Sequence, residues 1–306
     1  MLEVAVAVIE RADGAFLLAQ RPAGKVYAGW WEFPGGKVHD AESAQAALAR
    51  ELHEELGIDV GPVFPWITRV FVYPHATVRL NFFRVVKWSG EPHPREEQAI
   101  RWQRFDAPMA EPMLPANAPV LRSLALPLEY AVTCAETLGT EEMLMRVERR
   151  LQHGLRMIQV RDKTLHDRTG FARAVVALAH RYDAKVLVNG DEEEARAIGA
   201  DGVHWTAAVL GRAQKRPAGL LCGASCHTAA ELERAAALEC DFAVLGPVRD
   251  TTTHAASPPL GWDGFERLAR GAPIPVFAIG GLRLSDLDES RRCGAHGLAM
   301  IRGSWA

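Results

Sequence analysis

Three glutamates near the end of one short segment are spaced so that they can bind a metal ion together. Glu51, Glu54 and Glu55 lie three and four residues apart, so on a helix they would share one face. Carboxylates this close repel one another, and a hard cation relieves that repulsion. Mg²⁺ prefers oxygen ligands and commonly bridges carboxylates to substrate phosphates. The spacing therefore predicts a magnesium site for a phosphorylated substrate; the alternative is a solvated acidic face.

The flanking residues predict the helix that these glutamates require. From about Ser43 to Leu56 the sequence contains neither Gly nor Pro and is rich in Ala, Leu, Glu and Gln. Gly57 follows, where a helix can close in the left-handed conformation. Arg50 can hold the glutamates in place, and Gly35 and Gly36 would allow a tight loop before the helix.

The whole segment matches a known motif. It carries every fixed residue of the Nudix box at the usual spacing: Gly36, Glu42, Arg50, Glu51, Leu52, Glu54, Glu55, Gly57 and Ile58. Beyond the box, residues 1 to about 125 resemble the MutT branch of the Nudix family, the 8-oxo-dGTP diphosphatases. The residues that carry this resemblance are Arg21, residues 32–37, Glu96 and residues 114–120.

The MutT resemblance implies a metal site and a reaction. In that family, residues matching Glu51, Glu54, Glu55 and Glu96 bind magnesium and activate water, and we assign Gly35 to the same site. Magnesium lowers the pKa of bound water, and Glu51 would take the proton. The expected reaction converts 8-oxo-dGTP to 8-oxo-dGMP and pyrophosphate, which removes a mutagenic nucleotide from the pool. Mg²⁺ is the expected cofactor, with Mn²⁺ as an alternative.

The same resemblance implies how the nucleotide is held. Arg50 supports the catalytic glutamate, and the position matching Arg21 contacts phosphate. Those matching Phe33 and Asn117 contact the purine, since an aromatic ring offers a flat surface and an amide pairs with a base edge. By residue type alone, Phe33 is as readily a core residue and Asn117 a turn residue. MutT proteins carry polar or charged residues after the strand-end proline, whereas His75 and Ala76 stand here, which bears on purine selectivity.

The composition of the chain argues against several other classes of protein. The chain has 306 residues, which favours two domains, and its net charge of -3 provides no basic surface for a nucleic-acid polymer. Its five cysteines have neither paired spacing nor the density of a secreted scaffold, which favours reduced thiols in the cytoplasm. The N-terminal apolar run meets Glu10 and Arg11 too early to span a membrane, so no membrane association is expected.

Two α/β domains are predicted, with a short linker at residues 124–129. Residues 1–128 contain Val- and Phe-rich strands around the box helix, and the resemblance implies a Nudix α/β/α sandwich with a mixed sheet. Residues 129–306 alternate eight short apolar runs with Ala-rich helical stretches. This alternation predicts a (β/α)8 TIM barrel with its functional groups at the C-terminal ends of the strands.

The second domain is similar to the thiamine phosphate synthase and TenI superfamily. The similarity rests on residues 159–163, 188–189, 199–204, 225–227, 246–248 and 278–281. In the synthases, residues matching Arg161, Lys163 and Asn189 contact the pyrimidine pyrophosphate. Those matching Thr251, Thr253 and Gly281 line the thiazole phosphate site. Backbone N–H groups of a Gly-Gly turn can also hold phosphate without any side chain.

The barrel departs from the catalytic synthases at its metal ligands. Those enzymes need two aspartates, but Gly190 and Val209 stand at the matching positions, with Asp191 one residue from the first. His254 replaces the expected lysine. Loss of the metal would remove much of the charge stabilisation, so synthase activity is not expected. TenI-like thiazole tautomerases need no metal and use a histidine, and His227 stands at the matching position; a structural histidine at the barrel rim is the alternative.

Three hypotheses about function follow. The first is an 8-oxo-dGTP hydrolase fused to a TenI-like barrel that binds thiazole phosphate or another phosphorylated ligand. The second is a bifunctional thiamine-pathway enzyme that joins a pyrophosphatase to a thiazole tautomerase or thiamine phosphate synthase. The third treats the barrel as a non-catalytic module that binds phosphorylated ligands.

Overall fold

The computed structural model describes residues 1–190, 192–251 and 258–305. The chain divides into two compact units, Met1–Leu126 and Pro127–Ala306, and this division falls inside the predicted linker. Within the described residues, no helix has the length and apolar character that a membrane crossing requires.

The first unit is a set of short sheets with two helices. Its strands are β1 (Leu2–Ile9), β2 (Phe16–Gln20), β3 (Trp31–Glu32), β4 (Gly35–Lys37), β5 (Asp59–Val60), β6 (Val63–Tyr73), β7 (Ala76–Val85), β8 (Trp88–Ser89) and β9 (Ile100–Gln103). Its helices are α1 (Ala44–Leu56) and α2 (Ala118–Leu124), the latter preceded by a 3₁₀ turn at Pro115–Asn117.

The main sheet of this unit is mixed and has the order β4-β1-β7-β6. Strand β1 runs parallel to β7 and antiparallel to β4. Because side chains alternate along a strand, β1 serves two cores. Ala5 and Ala7 pack with α1 on one face, whereas Val6 and Val8 pack with α2 on the other. The predicted α/β/α sandwich with a mixed sheet is therefore confirmed.

The second unit is a closed barrel of eight parallel strands. The strands are β10 (Glu129–Val132), β11 (Met157–Val160), β12 (Lys185–Val188), β13 (Gly202–Trp205), β14 (Leu221–Cys226), β15 (Phe242–Leu245), β16 (Val276–Ile279) and β17 (Gly297–Met300). The helices are α3 (Ala135–Leu138), α4 (Thr140–Gln152), α5 (Arg168–His180), α6 (Glu192–Ile198), α7 (Ala207–Arg212), α8 (Ala229–Ala237), α9 (Gly261–Ala269) and α10 (Leu287–Arg292).

The barrel interior is filled by aromatic side chains. The Phe242 ring lies 5.2 Å from that of Tyr130 and 5.3 Å from that of Phe277, and all three are fully buried. Strands β11, β13, β15 and β17 are buried along their whole length, as expected for parallel strands covered on both faces. Each predicted apolar run is a barrel strand, so the predicted TIM barrel is confirmed.

Candidate functional site

Helix α1 presents the glutamates of the Nudix box. It begins after Ser43, whose side chain accepts a hydrogen bond from the Ala46 N–H at 3.1 Å, and ends at Gly57, where φ is 69°. These caps satisfy backbone groups that a helix end leaves free. Leu48 and Leu52 are fully buried beneath the helix. The helix therefore begins and ends where the sequence predicted.

Gly35 and Gly36 lie in strand β4, so the predicted loop at this position is wrong. A Cβ on Gly35 would collide with the Ala5 carbonyl of β1, and the Gly35 φ of 146° also favours glycine. A Cβ on Gly36 would collide with the Glu51 carboxylate. The two glycines thus allow β4 to approach β1 while the Glu51 carboxylate rests on the strand backbone.

Arg50 joins three carboxylates of the box. Its guanidinium donates hydrogen bonds to Glu42 at 2.8 Å, Glu51 at 2.8 Å and Glu54 at 3.2 Å, and also to the Lys37 carbonyl at 3.1 Å. These charge-assisted bonds raise the pKa of Arg50 and lower that of Glu42. Arg50 therefore fixes the position of Glu51 against β4.

Glu55 lies in a strongly perturbed environment. Burial, followed by the nearby charges of Glu96 and Glu51, raises its pKa to about 7, and Lys25 opposes this shift. The Lys25 ammonium forms a 3.0 Å ion pair with Glu96. The carboxylates of α1 and Glu96 thus share one region, in which negative charge is incompletely compensated.

This region suits a hard cation in its chemistry, although its side chains are engaged with one another. Within residues 1–190, 192–251 and 258–305, no three His, Cys, Asp or Glu side chains already converge as metal ligands. Arg50 binds Glu51 and Glu54, and Lys25 binds Glu96. Metal binding would require carboxylate oxygens to exchange these partners for the ion. The raised pKa of Glu55 indicates that added positive charge would be stabilising there.

Arg21 lies in the same region as Glu96 and the carboxylates of α1. Its guanidinium binds both carboxylate oxygens of Glu32, at 2.6 and 2.8 Å, and the Val26 carbonyl at 2.7 Å. Burial raises the pKa of Glu32 despite this partner, and the charge of Glu32 contributes to the raised pKa of Glu55. The guanidinium predicted to contact phosphate is therefore near the carboxylates of α1.

The two residues predicted to contact the purine are buried. Phe33 is 2% exposed and packs near the rings of Phe16 and Phe82, at 5.9 and 6.3 Å. Asn117 is 4% exposed, and its amide donates a weak hydrogen bond to Met113 Sδ at 3.6 Å. Phe33 therefore has the core role that its residue type also allowed, and base contact by these residues stays a prediction.

A partly exposed aromatic cluster lies beside the Arg21–Glu32 pair. The Tyr27 ring lies 5.7 Å from that of Tyr73, and the His75 ring stacks 5.5 Å from Tyr73. Burial, followed by the charge of Glu32, raises the pKa of Tyr73 to about 12. Sequence reasoning missed this cluster because its members come from two segments that are distant in sequence, and only the fold brings their rings together.

The barrel has a cavity of about 1000 Å³ at the C-terminal ends of its strands. The cavity is lined by every described residue that the sequence assigned to the barrel site: Arg161, Lys163, Asn189, His227, Thr251 and Gly281. Thr253 and His254 lie outside the described residues. The fold thus brings together side chains from strands and loops that are more than 100 residues apart in sequence.

His227 is fixed at the cavity wall. Its Nδ1 lies 2.7 Å from the Gly246 carbonyl, so we assign the proton to Nδ1 and the basic lone pair to Nε2. A second histidine, His204, is only 2% exposed; it is hydrogen-bonded to Tyr130 Oη at 3.2 Å and to Ser225 Oγ at 2.9 Å. Burial lowers the pKa of His204 to about 3, so this histidine, which also lines the cavity, is neutral near pH 7.

Gly190 and Val209, the positions predicted to match the aspartates of the synthases, have no acidic side chain. A side chain on Gly190 would collide with the Glu194 carboxylate, which forms an ion pair with Arg168. Val209 lies on α7 and is 36% exposed. Asp191, one residue from the first position, lies outside the described residues.

Family models match both units. Residues 1–124 match the model described as the NUDIX domain, and residues 129–303 match the model described as thiamine monophosphate synthase. The chain therefore belongs to both families, as a Nudix hydrolase domain joined to a barrel of the thiamine phosphate synthase/TenI type. Nudix hydrolases generally use divalent metal ions such as Mg²⁺.

Individual proteins are similar to parts of this chain. A CTP pyrophosphohydrolase of Escherichia coli is 40% identical over 129 residues, which are 40% of this chain and 90% of the relative. A putative thiamine-phosphate synthase of Geobacter sulfurreducens is 36% identical over 178 residues, which are 56% of this chain and 84% of the relative. Among solved structures, a thiamine phosphate pyrophosphorylase of Pyrococcus furiosus is 26% identical to this chain. The match covers 59% of this chain and 87% of the Pyrococcus chain, and its TM-score is 0.48.

Proposed function

We propose that the first unit is a Mg²⁺-dependent nucleoside triphosphate pyrophosphohydrolase. The observation that carries this proposal is the group of carboxylates around Glu55, whose pKa is raised to about 7 by burial and by Glu96 and Glu51. Perturbed carboxylates of this kind are typical of functional sites. The Arg21 guanidinium beside them offers a partner for substrate phosphate. Mn²⁺ is the alternative ion.

In this mechanism Glu51, Glu54, Glu55 and Glu96, together with Gly35, would hold the ion. When bound, the ion supplies charge neutralisation for the phosphates and lowers the pKa of a coordinated water. Glu51 accepts the proton of the attacking water at its carboxylate.

Two arginines would assist the reaction. Arg50 keeps the Glu51 carboxylate on the β4 backbone through its 2.8 Å hydrogen bond. Arg21 would exchange Glu32, a carboxyl whose pKa is raised by burial, for a phosphate oxygen of the substrate. The products are a nucleoside monophosphate and pyrophosphate.

We propose 8-oxo-dGTP as the substrate, so that the protein serves nucleotide-pool sanitation and mutation avoidance. The resemblance to MutT proteins at Arg21 and Asn117 supports this choice. CTP is the second candidate, because a relative that is 40% identical is named CTP pyrophosphohydrolase. The rings of Tyr27, Tyr73 and His75, which belong to partly or fully exposed residues, would suit stacking of either base.

A hydrolysis screen tests these choices. The full chain, with Mg²⁺, is assayed against 8-oxo-dGTP, dGTP, CTP, dCTP and thiamine diphosphate, and kcat/KM is compared. We expect 8-oxo-dGTP to exceed dGTP by at least tenfold. A higher kcat/KM for CTP would transfer the assignment to CTP, and cleavage of thiamine diphosphate alone would favour the thiamine-pathway hypothesis.

For the barrel, we propose the binding of a small phosphorylated molecule, with thiazole phosphate as the first candidate. Arg161, Lys163 and the Gly280–Gly281 turn line one cavity and can hold phosphate. Gly190 and Val209 cannot hold magnesium, which argues against thiamine phosphate synthesis. His227, with its basic nitrogen at Nε2, could move a proton in a metal-free tautomerisation. Calorimetric titration with thiazole phosphate tests the binding, and absence of heat at millimolar ligand would contradict it.

The cytoplasmic location expected from the cysteine pattern stays a prediction.

A further inference from the structure

Four cationic side chains line the barrel cavity, and the sequence assigned no role to two of them, Arg283 and Arg302. Arg161 and Lys163 come directly after β11, whereas Arg283 follows β16 and Arg302 follows β17. The barrel closes through pairing of β17 with β10 and of β10 with β11. The four side chains therefore occupy one continuous part of the rim, formed by four neighbouring strands.

The charge of these side chains is only partly compensated. The Glu136 carboxylate, which accepts hydrogen bonds from the Thr164 and Lys163 N–H groups, also interacts with the charge of Arg161, and Asp286 accepts a hydrogen bond from the Arg283 N–H at 2.8 Å. Within the described residues, none of the four cationic side chains forms an ion pair, and the described cavity lining contains no Asp or Glu. By contrast, Arg168 and other arginines of the barrel are paired with carboxylates. Four like charges around one concavity repel one another and create a field that attracts anions.

The backbone between these cations also favours an anion. Gly280 and Gly281 line the cavity between β16 and Arg283, with φ of 113° and 65°. A Cβ on Gly280 would collide with Pro247, so this close approach of backbone to backbone requires glycine. Backbone N–H groups exposed at such a turn can add hydrogen bonds to those of the guanidinium groups.

We propose that Arg283 and Arg302 bind the ligand directly, so that the barrel holds a molecule with two phosphoryl groups without a divalent metal ion. This inference rests on the proposed binding of a phosphorylated molecule by the barrel. One phosphoryl group lies against Arg161 and Lys163, and the other lies against Arg283, Arg302 and the glycine turn. Fixed cations then supply the positive charge that magnesium would otherwise provide, in a cavity whose described lining contains no acidic residue to hold the metal.

Calorimetry with inorganic pyrophosphate tests this inference on the full chain. EDTA is present throughout, so that no metal-dependent binding to the first unit contributes. We expect the intact protein to bind pyrophosphate, and to bind orthophosphate at least tenfold more weakly. Arg283→Gln and Arg302→Gln should each weaken pyrophosphate binding by about tenfold or more, because each removes a charged hydrogen-bond donor. Arg173→Gln, at an exposed position of α5 outside the cavity, is the matched control and should bind normally.

The outcomes separate this inference from the proposal on which it rests. If the intact protein binds neither pyrophosphate nor thiazole phosphate, both ideas fail. Binding that persists in the Arg283→Gln/Arg302→Gln double variant but is lost in Arg161→Gln overturns this inference alone. The same holds if binding appears only after Mg²⁺ is added, or if orthophosphate binds as tightly as pyrophosphate. Unchanged circular dichroism and melting temperature would show that the variants are folded.

Discussion

Glu55 should destabilise the metal-free protein above neutral pH, and Glu55→Gln should remove this destabilisation. The pKa of the Glu55 carboxyl is raised from 4.5 to about 7 by burial and by Glu96 and Glu51. The folded protein therefore binds this proton more tightly than the unfolded chain does. Stability consequently falls as pH rises from about 4.5 to about 7, and the full cost is present above that range.

The magnitude follows from the two pKa values. A shift of the carboxyl pKa from 4.5 to about 7 lowers the free energy of unfolding at pH 8 by on the order of 3 kcal/mol, as an upper limit. At pH 5 the same shift costs less than about 1 kcal/mol. Glutamine has nearly the same shape without the charge, so Glu55→Gln should raise the free energy of unfolding by these amounts. For a domain of this size, the gain at pH 8 corresponds to roughly 10 °C in melting temperature.

Thermal and urea unfolding in EDTA at pH 5 and pH 8 measure this effect. The change in stability should be confined to the unfolding transition of the first unit. Glu54→Gln is the control, because Glu54 is 56% exposed and bound to Arg50, and it should bring no gain at pH 8. Addition of Mg²⁺ should stabilise the wild type more than Glu55→Gln. Equal stability of Glu55→Gln and wild type at pH 8 would refute the account of the carboxylate cluster.

Three further variants test individual residues. Glu51→Gln should lower kcat for nucleotide hydrolysis by at least about 100-fold with little change in fold; wild-type rates would remove Glu51 from the mechanism. Gly36→Ala should also reduce activity, since its Cβ collides with the Glu51 carboxylate; unchanged kcat would show that the contact is dispensable. His227→Ala should abolish metal-free thiazole tautomerisation while calorimetry finds ligand affinity within about threefold of wild type; full activity in this variant would make His227 structural.

Local patterns predicted most of the fold. Helix α1 follows from a run without Gly or Pro between Ser43 and Gly57, and both caps act within a few residues. The eight barrel strands follow from short apolar runs that are separated by helical stretches. Such signals are contained in neighbouring residues, so no tertiary contact is needed to interpret them.

Features that depend on distant contacts could not be predicted. The role of Gly35 and Gly36 depends on the approach of β4 to β1, which begins more than 25 residues earlier. The raised pKa of Glu55 depends on burial and on Glu96, and sequence spacing measures neither. In the barrel, Arg302 joins Arg161 at one cavity only because the strands close into a ring.

The most direct test of the account is the reaction catalysed by the full chain on 8-oxo-dGTP with Mg²⁺, followed by ³¹P NMR. The account predicts that 8-oxo-dGMP and pyrophosphate form together, that EDTA stops the reaction, and that Glu51→Gln nearly abolishes it. Release of orthophosphate, turnover that persists in EDTA, or no cleavage of any nucleoside triphosphate would contradict it.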